Sequence, residues 1–546
     1  MGRILLFVLI SCFFTKSQSQ PYNPGNFISN LPIVIIKTNG QNFQVDKKKR
    51  MSLEIVYRGP GRNNVLNGTR AFDGPIDIEL RGSSSLMFPK KSYGFETVTD
   101  AGENLDTAIL DFPREHDWVL VAAYPDKTLI RNALTYKIFG EMGYYSPRTK
   151  LVELVIDSDY RGVYLFCEKI KHDKRRVNIA KLTTKDIQGV DLTGGYIIKI
   201  DRVNGSDGEG WHSKYPSKKD SGFVYFQYHY PDADSMWSVQ KDYIKDYIDS
   251  LEFALKSPDF KDPKKGYRKF IDVTSFIDFF LINEMSKNPD GYRLSTYMYK
   301  DKITKGGGKL KAGPVWDFDL AWYNCTGNGG TNESWWSYLM QSRDYFIPFW
   351  WISFHEDPQF KQDVYCRYKT LRKNAWTKAR MYAIVDSMAN ELAEAQVRNF
   401  KRWPILKDSI YLTPKPYPGT YQGEIYNLKR WITKRMAWLD EHISGKDDCP
   451  IIVPPKPNGI DEEDNDQFAV YPNPFYHSLS VNYIPRGHTK FKMFNILGQE
   501  TMSSEFDDPI GKPILREINM EKLKAGIYFL VIESNGMKYE NKVVKI

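Results

Sequence analysis

Cysteine is scarce, with five in 546 residues, and no two stand in a CxxC pair. The eight histidines are scattered. A structural zinc site needs clustered sulfur and imidazole ligands, so none is expected. Beyond the first twenty residues no apolar run approaches the ~18 residues that a transmembrane helix needs. Charge of one sign is not concentrated either. The 76 Lys and Arg against 67 Asp and Glu leave a net +9, and the only dense run is Lys47–Arg50. That balance weakly favours anionic ligands and is no nucleic-acid footprint. A phosphate-binding P-loop is absent: Gly306-Gly307-Gly308-Lys309 lacks the spacing and the following Ser or Thr.

What is present is a chain long enough for three or four average domains. Its composition is 41% hydrophobic and 26% charged. The 14% aromatic share, with 35 Tyr and 13 Trp, suggests extensive stacking or contact with polysaccharide or peptide. Residues 1–20 read as a secretory leader: Arg3, an apolar core at Ile4–Phe14, and a small, polar exit at Ser17–Gln20. The mature protein then begins near Gln20 and retains Cys167, Cys325, Cys366 and Cys449. An oxidising compartment permits disulfides among these, with the pairing open.

Strand patterns recur at Leu31–Thr38, Met51–Tyr57 and Ile76–Arg81. A small-residue loop, Arg81-Gly82-Ser83-Ser84-Ser85, then leads to Phe88-Pro89-Lys90-Lys91. Such a loop lets backbone N–H groups approach a phosphate, and a lysine beyond it neutralises charge at a cleft surface, although such loops are commonest as plain hairpin turns. Asp117–Tyr124 reads as a strand, Leu129–Met142 as a helix, and Leu151–Ile156 with Gly162–Cys167 as a hairpin ending at Glu168. Gly194–Asp201 is a further strand and 203–222 a Gly-, Ser- and Lys-rich loop. Helices are expected over Gln240–Lys256, Val273–Lys287 and Tyr426–Ile443, and the aromatics from Trp335 to Trp351 are expected in the core.

The chemistry-bearing stretch runs from Asn283 to Trp322. A helix end delivers the loop Asn288-Pro289-Asp290-Gly291, and a hairpin follows, Ser295–Lys300 returning over Lys309–Val315. The return strand enters Trp316-Asp317-Phe318-Asp319. The outer ends of a hairpin's arms meet, so Asp290 and Asp317 should lie close although 27 positions apart. Paired carboxylates suit a hard cation such as Mg²⁺, which shares oxygen ligands with phosphates. The plain alternative is that these aspartates cap turns and helices.

The order of elements is that of a protein kinase: lysine strand, helix, two strands, acidic junction, long helix, aspartate loop, hairpin, second aspartate. The usual G-x-G-x-x-G, H-R-D and D-F-G signatures are missing. Residues 27–445 instead resemble the spore-coat protein H (CotH) kinase family, an atypical protein-kinase-like group. The likeness rests on the loop and lysines just quoted, Asp117-Trp118-Val119-Leu120, Asp126-Lys127-Thr128-Leu129-Ile130-Arg131-Asn132, Gly162–Ile170, Gly194-Gly195-Tyr196, Asn288–Tyr292 and Gly313–Asp319. The resemblance implies ATP-dependent phosphorylation of Ser or Thr in secreted or surface proteins, with Mg²⁺ or Mn²⁺. It implies Asp290 as the active-site aspartate, Asp317 as the metal ligand, and Arg81, Ser83, Ser84, Lys90, Lys91 and Glu168 around the nucleotide. Ser295 departs from the kinase pattern, which has an asparagine for the second metal five residues after the catalytic aspartate; Asp319 would compensate.

Pro450–Gln467 is Pro-rich and then acidic, as linkers are. Beyond it, Tyr471-Pro472-Asn473-Pro474-Phe475, Asn495-Ile496-Leu497-Gly498-Gln499 and Leu523–Tyr528 resemble the C-terminal sorting domain of type IX secretion substrates. Strand patterns there suit a small β-sandwich. The expected fold is α+β: a leader at 1–20, a kinase-like domain at 21–445, a linker at 446–467 and an all-β, immunoglobulin-like sorting domain at 468–546. The expected partners are a secreted or surface protein substrate and the type IX secretion machinery, with neither nucleic acid nor a transmembrane segment. Two other functions fit the same residues. A kinase-like fold without catalysis would bind or assemble at the surface, as Ser295 and the scarcity of ATP outside cells suggest. A carbohydrate-related protein would use the aromatics and paired carboxylates.

Overall fold

A computed structural model describes residues 22–449 except 60, 204–207, 218–221, 305–307, 327–333, 336–346 and 411–412. Of the tail it describes 468–545 except 472–474, 476, 484, 486, 496–498, 509–513 and 535–536. The expected leader, residues 450–467 of the expected linker, the Gly306-Gly307 turn, and Trp336, Tyr338 and Phe346 therefore lie outside the described residues. The chain divides into two compact units, one up to Gly459 and one from Ile460.

The first unit begins with a closed barrel of seven strands: β1 (Ile33–Lys37), β2 (Lys49–Val56), β3 (Arg70–Arg81), β4 (Ser92–Thr97), β5 (Asp117–Val121), β6 (Thr149–Ile156) and β7 (Asp159–Glu168). Alternating apolar residues point inward, so Ile76 and Ile78 of β3 join Leu53, Ile55, Phe95, Trp118, Leu154 and Phe166 in one core. Pairing is antiparallel except at the seam, where β1 runs parallel to β6 with Val34 opposite Leu154. Helix α1 (Arg131–Glu141) stands between β5 and β6 in sequence.

A second, antiparallel sheet follows in the order β9-β10-β8-β11-β12, from β8 (Tyr196–Ile200), β9 (Gly210–Pro216), β10 (Phe223–Tyr230), β11 (Thr296–Lys300) and β12 (Leu310–Ala312). The expected loop at 203–222 is thus corrected: Gly210–Pro216 pairs with β10, which supplies the backbone partners that a Gly- and Lys-rich sequence does not advertise. Helices α2 (Ser238–Lys256) and α3 (Val273–Ser286) are followed by α4 (Trp350–Glu356), α5 (Pro358–Lys373), α6 (Lys378–Glu391), α7 (Ala395–Arg402) and α8 (Tyr421–His442). Phe276 to Met285 of α3 are buried all round, so this helix is the centre of the helical half. The aromatics Phe349, Trp350 and Trp351 pack there, in the core. Cys366 on α5 is bonded to Cys449, and Cys167 and Cys325 are buried.

The second unit is all-β. One sheet holds β13 (Phe468–Tyr471), β14 (Ser478–Tyr483) and β17 (Ile514–Asn519); the other holds β15 (His488–Asn495), β16 (Glu500–Asp507), β18 (Gly526–Ser534) and β19 (Met537–Lys545). Leu479 and Val481 of the first share a core with Phe491, Leu530 and Ile532 of the second, which makes a sandwich.

Candidate active site

The aspartate loop is built on the end of α3. Lys287 adopts left-handed backbone at φ 48° and stops the helix, and Asn288 folds back so that its N–H donates to the Asn283 carbonyl at 3.2 Å. The Asn288 Oδ1 then accepts the Asp290 N–H at 3.2 Å. Gly291 is required here: a Cβ would lie 2.6 Å from Asn283 Oδ1. Beneath the loop, Tyr292 donates its hydroxyl to Glu284 at 2.9 Å. Glu284 pairs with Arg435 of α8, both side chains being 0% exposed. A buried pair of this kind contributes little net stability but fixes geometry, since losing either partner strands a charge. Arg293 Nη2 donates to Asp290 Oδ1 at 3.0 Å.

The second acidic segment is held by α1. The Asp317 N–H donates to the Tyr136 hydroxyl at 3.1 Å, the Phe318 N–H to Asn132 Oδ1 at 2.6 Å, and Trp322 Nε1 to Thr135 Oγ1 at 2.8 Å. Asp317 itself takes left-handed backbone at φ 63°, which aspartate tolerates better than most residues. The start of α1 is locked in turn by Asp126, which accepts the N–H groups of Thr128 and Arg131 and pairs with the Arg131 guanidinium. Sequence reasoning read α1 as a helix and missed these holding contacts. The available signal was the spacing of Asn132, Thr135 and Tyr136, which lays a polar stripe on one face of a helix.

Asp290, Asp317 and Asp319 act on one another electrostatically, as the hairpin argument expected of the first two. Asp317 is open to water by surface area, yet protein surrounds it, which is the situation of a residue in a cleft. Reduced hydration, then the charges of Asp319, Asp290 and Asp201, hold its carboxyl well above the usual range. Asp319 is pushed up by burial and by Asp126 and Asp290, while sharing a hydrogen bond with Asp317. Burial raises Asp290 as well, opposed by Arg293 and Arg202. The hydrogen-bonded Asp317 and Asp319 carboxylates are an all-oxygen pair of the kind a small divalent cation such as Mg²⁺ or Mn²⁺ takes, while Asp290 bears on them through its charge.

The end of β3 reaches the acidic segment. The Arg81 guanidinium lies 5.8 Å from the centroid of the Trp316 ring, beside Asp317. Gly82 sits at φ 120°, which strains any side chain, and a Cβ there would also push Ser85 Oγ aside. Ser83 and Ser84 follow on the exposed surface. Lys90 does not stand at a cleft surface, which corrects that expectation. It is 3% exposed, donates to the Val163 carbonyl and to Asn399 Oδ1 of α7, and lies 4.7 Å from the Tyr164 ring centroid. Burial lowers its pKa to about 7. Lys91 donates to the Leu86 carbonyl. The Glu168 carboxylate is buried, accepting from Arg148 at 2.8 Å and from the Tyr145 hydroxyl at 3.2 Å, at the point where β7 leaves the barrel. Ser295 lies next to β11, at φ 47°. Among the described residues a separate cluster, Asp106, Glu115 and His116, faces Lys171, whose ammonium donates to Glu115 at 3.1 Å and to Asp117 at 2.6 Å.

Every part of this cleft falls within residues 78–439, which match the family described as CotH kinase protein. The chain belongs to the CotH family. The matched stretch begins inside β3, so β1 and β2, which close the barrel, precede it. Residues 469–546 match the secretion system C-terminal sorting domain, which indicates a secreted or cell-surface protein handled by type IX machinery. Among curated proteins, the inner spore coat protein H of Bacillus subtilis (strain 168) is 23% identical over 250 residues, 45% of this chain. The match spans 59% of that relative's length. No described helix of this CotH protein is long and apolar enough to cross a membrane.

Proposed function

We propose that this CotH protein is a secreted or cell-surface atypical protein kinase that transfers the ATP γ-phosphate to Ser or Thr hydroxyls of extracytoplasmic proteins. The observation that carries the proposal is that the Asp290 and Asp319 charges both bear on Asp317, with the acidic segment tied to α1 through Asn132 and Tyr136. Asp290 orients the acceptor hydroxyl and takes its proton. Its carboxyl is raised by burial and anchored by Arg293, which suits a proton acceptor. Asp317 and Asp319 hold the divalent cation, and the cation, when bound, neutralises charge on the phosphates. Arg81 adds positive charge at the rim, and the Gly82-Ser83-Ser84 loop covers the phosphates. Lys90 is enclosed by Val163 and Asn399 and is given no nucleotide contact, while Lys91 would exchange its Leu86 carbonyl for a phosphate. In this proposal residues 1–20 are the leader, 21–445 the kinase domain, 446–467 a linker and 468–546 the sorting domain.

Ser295 favours one second reading, in which the protein binds nucleotide weakly and acts as a surface-assembly module. Incubating the purified chain with labelled ATP and Mg²⁺ or Mn²⁺, alone and with secreted proteins, separates the two. Label on a Ser or Thr supports the kinase. Nucleotide binding without transfer to any protein leaves the assembly reading.

A further inference from the structure

The start of α1, the segment Trp322-Tyr323-Asn324, residues 413–418 and α8 enclose a cavity of about 240 Å³. A water's share of liquid volume is about 30 Å³, so there is room for a small organic ion. Asp290, Asp317, Asp319 and Arg81 do not line it. Two residues that do, Arg131 and Tyr417, each have a buried polar atom without a partner among the described residues: the Arg131 Nε and the Tyr417 hydroxyl. Arg131 is 3% exposed, and its Nη1 is taken by Asp126 and Thr128 Oγ1. Buried polar groups nearly always have partners, so these two call for one from solvent or a ligand. The Lys127 ammonium donates to the carbonyls of Leu406 at 3.2 Å and Asp408 at 2.7 Å, and lies 4.1 Å from the centroid of the Tyr417 ring. Lys415 and Arg430 line the cavity as exposed residues, with no ion pair among the described residues. Glu424 lines it too; burial raises its carboxyl, opposed by Arg131 and Lys127, which lessens the charge it sets against an anion. Asp126 answers the charge of Arg131, and Glu424 and Asp408 that of Lys127. The unanswered charge is that of Lys415 and Arg430.

We propose that this cavity binds a phosphate group, whose oxygens accept from Arg131 and the Tyr417 hydroxyl while Lys415 and Arg430 balance its charge. A guanidinium matches phosphate oxygens in geometry, and a doubly charged phosphate matches two unanswered cations. The site stands apart from the Asp317 and Asp319 pair yet is tied to it. Asn324 Nδ2, in the cavity wall, donates to the carbonyls of Pro125 at 3.1 Å and of Asp319 at 2.8 Å. No residue of the kinase reading takes part, so the inference does not depend on it.

The test titrates inorganic phosphate and a phosphoserine peptide into the full chain by calorimetry, without divalent cations and at fixed ionic strength, with a thermal melt of each variant. Wild type is expected to bind one phosphate group per chain, and to keep it when a saturating non-hydrolysable ATP analogue and Mg²⁺ are added. Tyr417→Phe removes a hydroxyl that has no partner in the free protein, so the melting temperature should not fall while phosphate affinity drops about threefold or more. Lys415→Ala combined with Arg430→Ala alters two exposed side chains and should weaken binding about tenfold with the melt unchanged. Glu424→Gln should tighten it. A peptide that binds about tenfold more tightly than inorganic phosphate assigns the site to a phosphorylated side chain, and equal affinities assign it to free phosphate. No binding by wild type overturns the inference, as does wild-type affinity in both Tyr417→Phe and the double variant. Displacement of phosphate by the analogue also overturns it, since the phosphate would then lie in the nucleotide site.

Discussion

Asn132 Oδ1 accepts the backbone N–H of Phe318 at 2.6 Å, across 186 positions of sequence. Through this bond a helix beside the barrel sets the course of the chain between Asp317 and Asp319. Asn132→Ala leaves a buried N–H without a partner, which costs about 1–3 kcal/mol. The expected result is a lower melting temperature together with weaker Mg²⁺-dependent ATP binding. Tyr136→Phe removes the acceptor for the Asp317 N–H and should show the same pair of effects more mildly. A melt and a nucleotide titration on each variant check this; a loss of stability with unchanged affinity would mean that α1 supports the fold and not the site.

Asp317 and Asp290 should fail differently. Asp317→Ala removes a metal ligand and is expected to weaken metal-dependent ATP binding tenfold or more. Asp290→Asn keeps the shape of the loop, so ATP affinity stays within about twofold while phosphate transfer falls by 10²-fold or more, the size of a general-base contribution. Calorimetry and a transfer assay on one preparation measure both. Equal loss of binding in the two variants would put both aspartates on the cation.

The pH dependence of stability has an identifiable source in Glu252 of α2. This carboxyl is fully buried, and burial pushes its pKa up to about 7 against the bonds it accepts from Ser213 and Trp350. Its folded pKa lies above the unfolded value of 4.5, so the folded state binds more protons between these values. Its contribution therefore falls as pH rises from 4.5 to 7 and is flat above. The fall is on the order of 2–3 kcal/mol. Glu252→Gln should gain stability over wild type at pH 8 and show no gain at pH 4; denaturant melts at the two values test it.

The Cys366–Cys449 bridge closes a loop with a sequence separation of 83. Restricting the unfolded chain by a loop of that length is worth roughly 4 kcal/mol in the chain-entropy account. Cys366→Ser is expected to lower the unfolding midpoint in denaturant, and reductant should bring wild type to the same midpoint without changing the variant. A wild type indifferent to reductant would show that the bridge constrains little.

Local pattern determined much of this protein. Alternation at Ile76–Arg81, the period of Gln240–Lys256 and the Gly291 turn each depend on residues close in sequence, and each was legible from them. So were Asp290 and Asp317 as candidates, because a hairpin joins them. The sandwich strands Glu500–Asp507 and Ile514–Asn519 are hard to read from sequence, since the first has only Met502 and Phe506 as apolar residues and Arg516-Glu517 interrupts the second. Lys90 looked like a surface lysine because nothing within a few residues reveals that Asn399 and Val163 enclose its ammonium. The parallel seam between β1 and β6, the bond from Asn132 to Phe318 and the register that sets Ile200 against Thr296 were decided by tertiary structure alone. The physical reason is shared. A residue's own period states which face it presents, while its partner across a sheet or helix is chosen by the packing of the whole chain, and a shift of one residue in register would turn the same side chain to the other face.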